Sequence, residues 1–141
     1  QGTFRLRLMP WIAARKATLL IPSGPSHDPN RKHLHIVVTD PNASGDVLIV
    51  CVVSIPSTYI YDSSCTFFPG EHPFIVKDSY VAFRFSRVVQ ASVLEAKVAA
   101  GDYIAKAGLA EKRFADVVVG LMDSPFTTPK ILKFYQATVA P

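Results

Sequence analysis

The run Arg31-Lys32-His33-Leu34-His35 brings together the residue types that phosphodiester chemistry uses. Imidazole titrates near neutrality and can take or give a proton, while guanidinium and ammonium groups stabilise charge that develops on a phosphate. The run continues as Ile36-Val37-Val38-Thr39, an apolar strand pattern, and side chains of a strand alternate between its faces. His33 and His35 are therefore expected on one face, about 7 Å apart, close enough to bracket one phosphate beside Arg31 or Lys32. Two histidines on one strand face also occur as a solvated face or as a satisfied structural pair.

Other chemistry is less well supplied. His27, His33, His35 and His72, with Asp28 or Asp62, could form a nitrogen–oxygen metal site, but no His-Glu-x-x-His or comparable spacing is present. No metal and no cofactor is therefore expected. Cys51 lies in an apolar strand and Cys65 has no neighbouring base, and the chain has neither a Gly-x-Ser-x-Gly elbow nor a phosphate-cradling glycine loop. Asp62-Ser63-Ser64 reads as turn chemistry. His72, in Gly70-Glu71-His72-Pro73-Phe74, either caps that turn or joins the site; the cap is the reading taken, with Phe74 anchored in the core. Lys32, Lys77, Arg84 and Arg87 are candidate phosphate contacts, and Tyr59 and Tyr61 could stack unpaired bases.

The elements that must position these groups follow from composition and period. With 141 residues, 49% of them apolar, the chain can bury one core and is too short for two ordinary domains. Its charge is +4, and over residues 1–39 Arg5, Arg7, Arg15, Lys16, Arg31 and Lys32 face only Asp28, a modest footprint of a polyanion binder. No apolar run is long enough to span a bilayer and residues 1–10 lack a signal-peptide core, so a cytoplasmic protein with two free thiols and no membrane contact is expected.

Phe4, Leu6 and Leu8 alternate with Arg5 and Arg7, and residues 1–16 read as an N-terminal arm ahead of a single domain, 17–141. Within it, residues 17–89 carry strand patterns: Ala17 to Ile21, Lys32 to Thr39, Val47 to Ser54, Cys65 to Phe68 and Ser79 to Val88. The second and third form the clearest hairpin, across Asp40-Pro41-Asn42-Ala43-Ser44-Gly45-Asp46. So many short strands predict a small barrel or strongly bent sheet. Residues 90–141 switch towards helical spacing: Val93, Leu94 and Val98 before Gly101; Phe114, Val117, Val118 and Leu121, whose β-branched run also suits a strand; then Ile131, Leu132, Phe134, Tyr135 and Val139, with Thr128 as cap and Pro129 at the first position. The fold class expected is α+β, a mainly β core followed by C-terminal helices.

Ala17-Thr18-Leu19-Leu20-Ile21-Pro22, a polar loop, Arg31-Lys32-His33, the strand Ile36-Val37-Val38-Thr39 and the strand ending Cys51-Val52-Val53-Ser54 together resemble the PemK/MazF family of toxin endoribonucleases. The resemblance covers roughly residues 17 to 88 and rests on short motifs. It implies an SH3-like barrel with attached helices, usually a homodimer, that cuts single-stranded RNA without a metal and is neutralised by an antitoxin peptide laid across it. Ser54 falls at the family's Thr or Ser position and could donate to a non-bridging phosphate oxygen. The match departs from the family where it expects Arg-Pro: His33 stands at the arginine and Leu34 at the proline. The expected catalytic set is His33, His35, Ser54 and Arg31, one imidazole taking the 2′-hydroxyl proton and the other serving the leaving 5′-oxygen. A barrel that binds a nucleic acid or a peptide without cutting is the alternative, favoured by the missing Arg-Pro.

Overall fold

The computed structural model describes residues 10–57 and 60–140. The expected arm strand at residues 4–8 and Tyr59 lie outside them. The chain is α+β, with seven strands in one antiparallel sheet: β1 Thr18–Pro22, β2 Lys32–Val37, β3 Asp46–Ser54, β4 Thr66–Phe67, β5 Ser79–Val81, β6 Arg87–Gln90 and β7 Ile104–Lys106. Three helices complete it: α1 Ala91–Ala99, α2 Glu111–Asp123 and α3 Pro129–Val139. The strand order is β4-β5-β3-β2-β1-β7, and β6 lies beside β5 on the same edge of β3. Among the described residues no pairing joins β4 to β7, so the sheet is open and the expected barrel is not closed.

The β2–β3 hairpin forms where the alternation predicts it. Asn42 closes its turn by accepting the Ser44 and Asp46 amides on its side chain, and Gly45 takes the positive φ the turn needs, +81°. The single strand expected over Ser79 to Val88 is broken instead. β5 pairs with Val52–Ser54 and β6 with Asp46–Ile49, and between them Phe83–Phe85 makes a short 3₁₀ turn, with Ser86 Oγ donating to the Phe83 carbonyl at 2.6 Å. The break lets Phe83 turn fully into the core while Phe85 stays exposed, which a continuous strand with same-face phenylalanines would forbid.

Opposed residues of an antiparallel ladder share a face, so the register sorts the sheet into two sides. Leu20, Leu34, Val52 and Val81 form one row, and this first face is covered by Phe114, Val117 and Leu121 of α2 and Ile131 of α3. Gly120 lets α2 come close: a Cβ there would sit 2.9 Å from the Cys65 side chain and 3.0 Å from the Phe83 ring. The β-branched run Val117-Val118-Val119 is helix because Phe114, Val117 and Leu121 bury one stripe, and packing overrides local preference. On the second face Leu19, Ile21, Val37, Val47 and Ile49 pack against Ala13, Ala91 and Leu94, with Trp11 and Tyr103 partly buried at the edge.

Two boundaries therefore shift. Ala13, expected in the arm, is buried in the core with Trp11 packed beside it, and the helical region returns a strand, β7, to the edge of β1. Ends of helices fall where capping chemistry places them. Gly101 follows α1 at φ +83°, and Thr128 Oγ1 accepts the Ile131 amide at the start of α3.

Candidate functional site

A groove of about 590 Å³ opens on the first face where the ends of β2 and β3 meet the segment 73–77. Arg31, Lys32, His33, Ser54 and Lys77, expected as site residues from separate parts of the sequence, all line it. Long-range pairing brings them together. Ser54 opposes Ser79 across β3–β5, which draws Lys77 alongside, and Ser79 Oγ donates to the Lys77 carbonyl at 2.8 Å. Arg31 is held by the loop before β2: Ser23 N donates to the Arg31 carbonyl at 2.8 Å, and Gly24 packs so tightly that a Cβ would lie 1.9 Å from the Asp28 carbonyl oxygen.

No carboxylate lines this groove, and among the described residues Arg31, Lys32 and Lys77 take part in no ion pair. Apolar residues share the walls. Phe74, expected in the core, is 38% exposed and lines the groove, with Lys106 Nζ 5.9 Å from its ring centroid.

The two histidines of β2 share a face, as alternation requires, but it is the face opposite Lys32 and Leu34. His33 sits at the half-exposed start of the strand, 2.8 Å from Ser23 Oγ through Nδ1. Burial, and then Arg31, hold its pKa below the ordinary imidazole value, so it is neutral at pH 7. His35 is different. It is 4% exposed between Leu19 and Cys51, and its Nδ1–H donates to the His33 carbonyl at 3.0 Å. Burial pushes its pKa down to about 4. The expected pairing of two imidazoles around one phosphate is thus corrected: the second ring is sealed by β1, β3 and the residues that cover the second face.

The remaining candidates fall elsewhere. Tyr61 and Arg84 share a small hollow of about 80 Å³ with Tyr80 and Phe126, and Arg84 stacks on Phe85 at 4.6 Å. Asp62 accepts from Ser64 Oγ and from Ser124 Oγ at 2.7 and 2.6 Å, tying the rim loop to the end of α2. His72 is buried and structural, as described below. Among the described residues no three His, Cys, Asp or Glu side chains gather as a metal would require, so the rival metal site has no ligand set there. Both cysteines are free and buried, and burial raises Cys51 to about 12 and Cys65 to about 11, so both are thiols. No helix among the described residues is long and apolar enough to cross a membrane.

Compared with known proteins, the chain matches no protein-family model and no curated sequence. The functional reading therefore rests on the groove itself.

Proposed function

We propose that the groove holds single-stranded RNA by its phosphates, and that the protein is a toxin-like, metal-independent endoribonuclease related to PemK/MazF proteins, its sheet an opened form of the SH3-like barrel. The observation that carries this reading is the convergence of Arg31, Lys32 and Lys77 on one groove without a neutralising carboxylate. Free cations around an apolar trough suit a flexible polyanion whose bases need a surface to rest on.

In the cleavage step His33, neutral at pH 7, takes the 2′-hydroxyl proton while the 2′-oxygen attacks phosphorus. The bond to the 5′-oxygen breaks, that oxygen takes a proton from solvent, and a 2′,3′-cyclic phosphate and a free 5′-hydroxyl remain. Arg31 and Lys32 stabilise the charged phosphorane, and Ser54 donates to a non-bridging oxygen. The same groove would accept an acidic antitoxin segment, the working form would be a homodimer, and the compartment the cytoplasm.

A second reading is binding without cleavage. The sealed, neutral His35 and the absence of Arg-Pro favour it, because only one of the two expected imidazoles borders the groove. One experiment separates the two. Labelled single-stranded RNA is incubated with the protein in chelator, and the assay is repeated with His33→Ala. Cleavage lost in the variant supports the nuclease; RNA that is bound and intact supports the binding module. RNA neither bound nor cut overturns both.

A further inference from the structure

The wall that carries Lys77 and Phe74 is not part of the sheet. Between Phe68 and Asp78 the chain leaves β4 and comes back to β5, and something must fix it against the groove floor. Turn bonds give it shape: Glu71 N donates to the Phe68 carbonyl at 3.1 Å, and Ile75 N to the His72 carbonyl at 2.9 Å. They do not anchor it to the rest of the molecule. Two side chains do. Glu71 pairs with Arg113 of α2 at 3.5 Å, and His72, 3% exposed, reaches the corner where β1 meets the end of β7.

His72 uses both ring nitrogens. Its Nδ1 accepts the Phe74 amide at 3.1 Å, which requires the proton to be on Nε2, and Nε2–H donates to the Ala107 carbonyl at 2.7 Å. Thr18 Oγ1 donates to the same carbonyl at 2.7 Å and lies 3.3 Å from Nε2. One imidazole thus joins the groove wall to two strands remote in sequence. A buried ring with both nitrogens partnered holds its neighbours to a narrow set of positions.

We infer that His72 is a positioning residue for the groove: it ties the segment 73–77 to the β1–β7 corner and so sets where Lys77 and Phe74 meet a bound polyanion. The inference rests on the RNA-binding reading of the groove. His72 touches no substrate itself, being buried and absent from the residues that line the groove.

The ring's two functions can be separated by amides of different length. His72→Asn keeps an acceptor for the Phe74 amide and loses the reach to Ala107, whereas His72→Gln keeps a donor that reaches Ala107. Binding is read with a labelled 2′-O-methyl oligonucleotide, which has no 2′-hydroxyl to react. His72→Asn should weaken it about tenfold, the loss expected when a buried hydrogen bond that fixes a contact is removed. His72→Gln should stay within roughly threefold of the parent. In a background carrying Phe74→Ala and Lys77→Ala together the Asn substitution should add less than about twofold, because both residues it positions are gone.

Equal losses with and without Phe74 and Lys77, or a His72→Gln protein as weak as His72→Asn, overturn the inference in favour of a general stability role. Amide hydrogen exchange gives a readout independent of RNA. In His72→Asn the Phe74 and Ile75 amides should exchange faster while those of β3 keep their protection; unchanged exchange at Phe74 and Ile75 also overturns it. Parent protein that binds no oligonucleotide, together with the expected exchange pattern, removes the RNA reading and the effect on binding while leaving the tether in place.

Discussion

Two hollows of nearly equal size open on this molecule, and they differ in charge. One, of about 610 Å³, lies between α2, the end of α3 and the turn after β2; the other is the cationic groove of about 590 Å³. In the first, Arg15 leans on Glu111 at 3.8 Å, a carboxylate that also holds Lys16 beside the hollow at 2.6 Å, and the Arg15 amide donates to Asp40. In the second, three cations stand with no carboxylate among the lining residues. Size alone would rank the hollows together. What separates them is whether the charge is already answered from within the chain, and only the unanswered set invites an external anion.

One aromatic residue from each hollow sharpens the contrast, and the larger effect belongs to the hollow whose charge is paired. Phe114 is buried in the core beneath it, so Phe114→Ala should lower stability by about 3–5 kcal/mol in urea melts. Phe74→Ala, in the cationic groove, should leave the melt within about 1 kcal/mol of the parent and weaken oligonucleotide binding instead. A destabilised Phe74→Ala protein with normal binding would reverse the assignment.

Acid should lower the stability of the fold through the sealed histidine. His35 has a folded pKa of about 4, below its unfolded value, so the unfolded chain binds the extra proton first. Stability is therefore full above the unfolded pKa and falls as pH drops towards 4, by roughly 3 kcal/mol at most from this group. Urea melts at pH 7.5 and 4.5 measure the slope, and His35→Gln should flatten it. An unchanged slope would mean that the ring is not confined as described.

The next effect in size is on binding. Replacing Arg31, Lys32 and Lys77 together by alanine should weaken single-stranded RNA binding by on the order of a hundredfold and lower the salt dependence by about two, at roughly 0.7 per phosphate contact. Arg15→Ala with Lys16→Ala should change neither, because those cations are already paired. The smallest effect tests the rule itself. Glu111→Gln releases Arg15 and Lys16, and a weak second binding event, visible only at low salt, should follow. If it does not, paired charge is not what keeps the first hollow silent.

Much of the frame can be read before any coordinates. The β2–β3 hairpin follows from alternation around an Asn, Gly and Pro turn, and α3 from Thr128-Pro129 ahead of a 3.6-residue stripe. β7 escapes notice because Ile104-Ala105-Lys106 has no burial pattern of its own; all three are exposed, and only the edge of β1 makes them a strand. The break at Phe83–Phe85 escapes for a related reason, since it takes α2 packing over Cys65 and Phe83 to favour turning one phenylalanine inward. At the site, residue types and even the shared face of His33 and His35 were legible. Which side of the sheet would be covered was not, because the cover over His35's face comes from Trp11 and Ala13 and from α1, on either side of the strands in sequence. The gathering of Arg31, Ser54 and Lys77 likewise depended on the β3–β5 register, which no local pattern specifies.

The pairing of β1 with β7 has a consequence for synthesis. Thr18–Leu20 is made early, but the strand that shields its outer edge, residues 104–106, arrives only after most of the sheet. Until then a newly made or prematurely ended chain presents a row of bare amides and carbonyls beside an apolar strand. Such a row is a template for other extended chains. Truncation ahead of residue 104 should therefore give a product that aggregates through β1, even where the hairpin of β2 and β3 has formed.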